Sequence, residues 1–153
     1  MDILVKILTE DLLEKRISEF IDILADDPHE YWKEEHFKLQ LDHKYDISVV
    51  AVNLSVIAGY IIASVKTNGP YIHKFFVRKE YRSKTVGKKM LHLFERNIVE
   101  KGYRSIDLTV REDNSRAVRF YIRNKFEVTG KRITVKDKST LLIMTKYLKL
   151  PEK

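Results

Sequence analysis

A helical stripe enclosed between two strand patterns constrains this chain more than any other feature. "YIHKFFV" (71–77) reads as a strand, and "SIDLTV" (105–110) alternates as another. Between them Val86, Met90, Leu91, Phe94 and Ile98 recur at helical spacing over about residues 84–101, and Gly102 ends the run. A helix of that length can carry the chain back across a sheet, so the two strands are expected to be parallel neighbours joined by a right-handed crossover.

The rest of the chain fits around this unit. "ILVKIL" (3–8) reads as a strand, after which Thr9 caps a helix whose apolar positions are Leu12, Leu13, Ile17, Phe20, Ile21 and Leu24. Pro28 opens a second helical segment, "PHEYWKEEHFKLQLDHK". "ISVVAV" (47–52) and "IAGYIIASV" (57–65) form a hairpin pattern, and "NGP" (68–70) breaks the chain before the strand at 71. Residues 114–126 read as a short helix leading into a strand, and "LLIMTKYL" (141–148) is the last strand. Residues 1–153 show no repeat and no linker, so a single domain is expected. The hairpins require antiparallel pairing, which predicts a mixed sheet with helices on its faces.

Charge and composition narrow the function. Lysine plus arginine number 29 against 22 acidic residues, a net charge of +7, with the excess mainly after residue 72. That favours an anionic partner, whether nucleic acid, a membrane surface or a polyphosphate cofactor. No long single-sign tail is present, and no stacking platform for single strands is apparent, so nucleic acid is not the expected partner. No apolar run is long enough for a bilayer, and the start lacks a signal-peptide pattern, which predicts a cytoplasmic protein without a membrane partner. The absence of cysteine removes disulfides, thiolate metal sites and a cysteine nucleophile. His29, His36, His43 and His92 show no metal-ligand spacing, so no metal is expected.

Two stretches carry a family resemblance. "FFVRKEYRSKTVGKKML" is similar to the acetyl-CoA motif of the GNAT superfamily of N-acetyltransferases, an Arg or Gln, two residues, Gly, one residue, then Gly or Ala. The pattern falls on Arg82, Thr85 and Gly87. "LTVREDNSRAVRFYIRNKF" resembles the family's Asn-x-x-Ala-x-x-Phe-Tyr-x-x-x-Gly-Phe segment, on Asn114, Ala117, Phe120, Tyr121, Lys125 and Phe126. The resemblance implies a mixed, mostly antiparallel sheet of about six to seven strands and about four helices, splayed between 71–77 and 105–110. It also implies acetyl transfer from acetyl-CoA directly to a primary amine of a small molecule or peptide. Thr85 and Lys125 stand where the family usually has glycine. A β-branched residue resists positive φ, so Thr85 is expected in a helical or bridging conformation, or in a distorted loop. Asn124 can take the left-handed cap role in place of Lys125.

The resemblance assigns roles that the residue types can perform. Amides at a helix start face outward and attract anions, so Arg82, Ser83, Lys84, Thr85, Val86, Gly87 and Lys88 would hold the diphosphate. Basic side chains at a helix N-terminus are unfavourable unless an anion is present. Backbone at Phe75, Phe76 and Val77 would take up the pantetheine arm like an added strand, and one amide there would polarise the thioester. Asn114 and Ala117 lie near that arm; Asn114 is also a natural N-cap. Tyr121 matches the family's general acid and His73 is a candidate base. Residues 71, 73 and 75 are expected on one face of the strand. Tyr71, or loss of the proton to bulk water, are the other routes.

The acceptor would lie near "DDPHEYWKEEHF", where Asp26, Asp27, Glu30, Glu34 and Glu35 stand beside Tyr31 and Trp32, although charged helix faces are ordinary. A non-catalytic CoA-binding regulatory module is the alternative function. Open strand edges over 105–148 and the hydrophobic last strand suggest a homodimer.

Overall fold

The computed structural model describes residues 3–27, 32–82 and 85–149. Pro28, His29, Glu30, Tyr31, Ser83, Lys84 and the side chain of Asp26 lie outside the described residues. Seven strands form one sheet: β1 (Ile3–Ile7), β2 (Val49–Asn53), β3 (Val56–Lys66), β4 (Gly69–Val77), β5 (Ser105–Arg111), β6 (Glu127–Ile133) and β7 (Thr140–Tyr147). Their order across the sheet is β1-β2-β3-β4-β5-β7-β6. Six α-helical segments accompany them: α1 (Glu10–Lys15), α2 (Ile17–Ile23), α3 (Glu34–Phe37), α4 (Lys44–Ile47), α5 (Val86–Glu100) and α6 (Ser115–Arg123). No helix among the described residues is long and apolar enough to cross a membrane.

Every strand pair is antiparallel except β4 and β5, the two that α5 connects. These run parallel and share only the pairs Tyr71–Asp107 and Ile72–Leu108. Past Ile72 the strands diverge, and a wedge opens between them.

Two apolar cores hold the halves of this wedge in place. The α5 stripe of Val86, Met90, Leu91, Phe94 and Ile98 packs with Ala51, Ile61, Ile72, Ile106 and Leu108. On the other side of the sheet Leu13, Phe20, Ile23 and Phe37 cover Val50, Ile57, Ile62 and Phe76. β3 is buried on both faces, as its near-continuous apolar run requires. Tyr60 meets Phe20 with ring centroids 4.9 Å apart, and its hydroxyl donates to the Phe20 carbonyl at 2.8 Å. Gly59 is obligatory in this strand, since a Cβ there would stand 2.6 Å from the Phe76 carbonyl oxygen.

The helix boundaries depart from the sequence pattern in physically explicable ways. Thr9 caps α1, its hydroxyl accepting from Leu12 N at 3.1 Å, but the apolar periodicity then crosses a break. Arg16 leaves helical conformation (φ −123°), and its guanidinium reaches both Glu19 and the Ser55 carbonyl. The single helix expected after Pro28 is two separate turns instead. Lys44, 1% exposed, donates to the carbonyls of Phe37 and Leu39, and His43 adopts φ 60° ahead of α4. That buried cation ties the intervening loop down and substitutes for helical hydrogen bonds.

The end of α6 overturns another expectation. Asn124 is not left-handed (φ −95°); Lys125 is, at φ 74°. Phe126 N donates to Tyr121 O at 2.9 Å and Lys125 N to Ile122 O at 3.0 Å. That is a Schellman pattern, completed by the Phe126–Tyr121 ring contact at 5.4 Å. The motif needs its left-handed position one residue past the cap, whichever residue occupies it. A lysine there carries a Cβ penalty of about 1 kcal/mol, partly offset by the freedom that glycine loses on folding. Lys125→Gly is therefore expected to raise the unfolding free energy by roughly 0.5 kcal/mol with an unchanged urea m-value. A loss of stability would show that the lysine side chain holds this turn.

Candidate active site

The wedge between β4 and β5 widens into a cleft of about 900 Å³. Its walls are the last residues of β4, the start of α5, the outer part of β5 and the inner face of α6. Beyond Ile72, no strand among the described residues pairs with the β5-facing edge of β4. An extended, hydrogen-bonding chain can therefore add to Phe75–Val77 as a strand would.

At the start of α5 the backbone presents amides of the kind that suit an anion. Thr85 is left-handed, at φ 63° and ψ 9°, in the conformation glycine would adopt. Its β-branched side chain neither diverts it into a helical or bridging conformation nor distorts the loop away from the motif geometry, contrary to expectation. The cost is of the order of 1–2 kcal/mol, and such strain persists where surrounding contacts fix the backbone. Ahead of Thr85, Arg82 Nε donates to the Val77 carbonyl at 3.0 Å. Val86, Gly87 and Lys88 follow as the first three helical residues, and helix geometry leaves such amides without intrahelical acceptors. The Thr85 side chain does not cap them. A Cβ on Gly87 would lie 3.3 Å from the Phe120 ring, so glycine lets that ring seat against the helix start. Three amides, the helix dipole and a neighbouring lysine match the chemistry of a diphosphate.

α6 lays aromatic rings along the opposite wall. Asn114 is its N-cap, Oδ1 accepting from Ala117 N at 3.4 Å, and both residues line the cleft. Tyr121 is 8% exposed, with Phe75, Phe120 and Phe126 edge-on at 6.0, 5.7 and 5.4 Å. It is both a core aromatic and a cleft residue. Phe75 and Val77 also pack on this side, whereas the Phe76 ring is buried in the other core beneath the Arg82 guanidinium.

The acetyltransferase (GNAT) family profile matches residues 17–126, which span both halves of this cleft. The chain belongs to that family. It is an acetyl-CoA-dependent N-acetyltransferase. Three solved structures show the same fold over nearly the whole chain. The ribosomal-protein-S18-alanine N-acetyltransferase from Escherichia coli superposes with TM-score 0.81 at 16% identity, covering 99% of this chain and 97% of that one. Ard1 from Thermoplasma volcanium gives 0.83 at 22%, covering 97% and 99%. A streptothricin acetyltransferase, so described as putative, from Bacillus anthracis, solved in complex with acetyl coenzyme A, gives 0.75 at 19%, covering 97% and 100%.

The β4 wall of the cleft is less regular than its sequence pattern. β4 contains a bulge: Lys74 pairs with Ile62 and Ile72 with Ala63, leaving His73 as the extra residue. Strand alternation breaks there. Tyr71 and His73 stay together, ring centroids 5.0 Å apart, but Phe75 joins Ile72 in the α5 core rather than sharing their face. No side-chain pattern in "YIHKFFV" signals this, because a bulge is set by the partner strand. His73 Nε2 lies 2.7 Å from Ser64 Oγ, a partner the sequence did not suggest. Burial, then the charges of Lys66 and Lys44, lower its pKa to about 4. The ring lines the cleft as a neutral imidazole. Tyr71 donates to Thr109 Oγ1 at 2.9 Å, tying β4 to β5 where they part.

The acidic and aromatic stretch divides in the same way. Trp32 packs edge-on to Phe37 at 5.0 Å and carries Lys74 Nζ 5.4 Å above its ring. Glu34 pairs with Lys38 at 2.8 Å, and Glu35 is exposed. Asp27 alone of the described acids lines the cleft. On the far wall Arg111 binds Asp113 at 3.0 Å and Asp137 at 3.1 Å, fastening the β6–β7 turn to the end of β5. Among the described residues no group of three or more His, Asp or Glu side chains could hold a metal ion.

The lowered pKa of His73 fixes the sign of a pH effect. Between about pH 4 and 6.5 the unfolded chain binds a proton there that the folded chain does not. Stability is complete above pH 6.5 and falls toward pH 4, by up to about 1.4 kcal/mol per pH unit. In urea titrations from pH 7.5 to 4.5, His73→Gln is expected to lose less stability than the parent. Parallel pH curves would show that the imidazole is not disfavoured as a cation.

Proposed function

We propose that this acetyltransferase moves the acetyl group from acetyl-CoA directly to a primary amine of a small molecule or peptide, both reactants being held in one ternary complex. The observation that carries this reading is the single cleft bringing together the α5 amides, the free edge of β4 and Tyr121. When bound, acetyl-CoA supplies an activated thioester. The chain's own residues bind, orient and manage protons.

Amides of Val86, Gly87 and Lys88 hold the diphosphate, aided by Arg82 and Lys88 side chains. Backbone groups of Phe75, Phe76 and Val77 align the arm along β4, with Asn114 and Ala117 on its other side. An amide at Phe76 or Val77 faces the developing negative charge on the thioester oxygen. The nitrogen–carbon bond forms as the carbon–sulfur bond breaks. Tyr121 hydrogen-bonds to the departing sulfur and supplies its proton, although a phenol near pKa 10 donates uphill to a thiolate near 8.5. Direct transfer to an imidazole whose pKa is about 4 is also unfavourable, so His73 orients a water that carries the amine's proton away. Holding the reactants in line contributes on the order of 7–11 kcal/mol. No enzyme nucleophile is required, consistent with a chain that has no cysteine.

The acceptor class stays broad in this reading. The similar structures include one enzyme named for a ribosomal-protein alanine and one named for streptothricin, so peptide and small-molecule amines both belong in a screen. Tyr121→Phe keeps the aromatic packing and removes only the hydroxyl. With an acceptor from that screen it is expected to lower kcat roughly tenfold or more while calorimetric affinity for acetyl-CoA stays near the parent value. Unaltered kcat would remove Tyr121 from the chemistry.

A further inference from the structure

His73 leaves the β4 ladder at the bulge, and its ring meets Ser64 on β3. Ser64 is 3% exposed. Its Oγ stands 2.7 Å from His73 Nε2, and no other group among the described residues hydrogen-bonds to that hydroxyl. Tyr71, opposite Ser64 in the ladder, packs edge-on to the imidazole.

Counting donors decides how this pair is made. A serine hydroxyl has one proton to give, and a sheltered hydroxyl left without an acceptor is costly. For Ser64 the acceptor within reach is Nε2, so the hydroxyl donates and the ring nitrogen accepts. A neutral imidazole that accepts at Nε2 carries its proton at Nδ1. The reverse arrangement, with Nε2–H donating, would leave the serine proton unpartnered. An imidazolium fails on the same count, since both of its nitrogens are donors, and the charges of Lys66 and Lys44 oppose it as well.

We propose that Ser64 is a positioning residue for the transfer: it fixes the His73 proton on Nδ1, so that the imidazole meets the cleft as a hydrogen-bond donor rather than as a base. The inference rests on amine acetylation as proposed above and on the water placed there beside His73. Nδ1 has no hydrogen-bond partner among the described residues, and His73 lines the cleft. Its N–H occupies one lone pair of that water's oxygen, and the second lone pair is left to take the amine's proton. One of the water's own protons passes to solvent, so the imidazole neither gains nor loses one. The contribution is position, which bulk water lacks, and not basicity. The opposite tautomer would grip the water by a hydrogen and turn its oxygen elsewhere.

The test begins with the unmodified enzyme. Long-range proton–nitrogen NMR on protein carrying isotope-labelled histidine tells a protonated ring nitrogen from a bare one, and the His73 signals are those missing in His73→Gln. At neutral pH the expected pattern is Nδ1 protonated and Nε2 bare. In Ser64→Ala that preference is lost, and kcat with an acceptor from the amine screen falls by roughly three- to tenfold while calorimetric affinity for acetyl-CoA is kept. In a His73→Gln background the same Ser64→Ala change lowers kcat no further, because the serine acts only through the imidazole. A serine that merely packs β3 against β4 would cost the same in both backgrounds. Three results overturn the proposal: a proton on Nε2 in the unmodified enzyme, an unchanged pattern in Ser64→Ala, or equal kcat losses in the two backgrounds. The first needs no variant, so a folding defect cannot obscure it. Acetyl-CoA binding with no transfer to any amine of a broad panel would instead strike the amine-transfer reading and the catalytic half of this inference, while the spectrum still decides where the proton sits.

Discussion

β4 and β5 hold each other through two residue pairs and then part, and the cleft is the consequence. In a fully paired sheet the amides and carbonyls at the end of β4 would be spent on β5. Here the crossover helix wedges its N-terminal end toward the gap, and α6 closes the other side with Phe120 and Tyr121. The divergence is enforced from both faces. Phe75 and Val77 pack toward α5 and α6, while Phe76 is anchored beneath the N-terminal helices. Neither core alone would keep the edge of β4 presented.

The two ends of the cleft are stabilised differently. At the α5 end the backbone itself is fixed: Thr85 left-handed, Gly87 pressed by Phe120, Arg82 fastened to Val77. Along the other walls the contacts are between polar side chains: Asp27 with Arg116, His73 with Ser64, and Arg111 with two aspartates.

Legibility in the sequence followed the same division. The crossover helix, the seven strands and the two motif segments were readable because apolar periodicity and residue spacing are local properties. The breaks at Arg16 and across residues 38–43 were not, since each is held by a side chain reaching a distant or non-helical carbonyl. The left-handed residues were misassigned for a related reason: propensity disfavours Thr85 and Lys125 there, and tertiary context prevails. The bulge at His73, which redirects half of β4, depends on how β3 pairs with it and leaves no mark in its own residues. Asp27 was visible only as one of several acids until folding separated it from the solvent-facing ones.

The central claim is that one reagent is held by the unpaired edge of β4 together with the first turn of α5. Residue-resolved amide hydrogen exchange, with and without saturating acetyl-CoA, measures this directly. The account predicts slowed exchange concentrated at residues 75–77 and 86–88, with little change at the β6–β7 turn. Binding accompanied by protection elsewhere, and none at residues 86–88 or at any amide of 75–77, would contradict it.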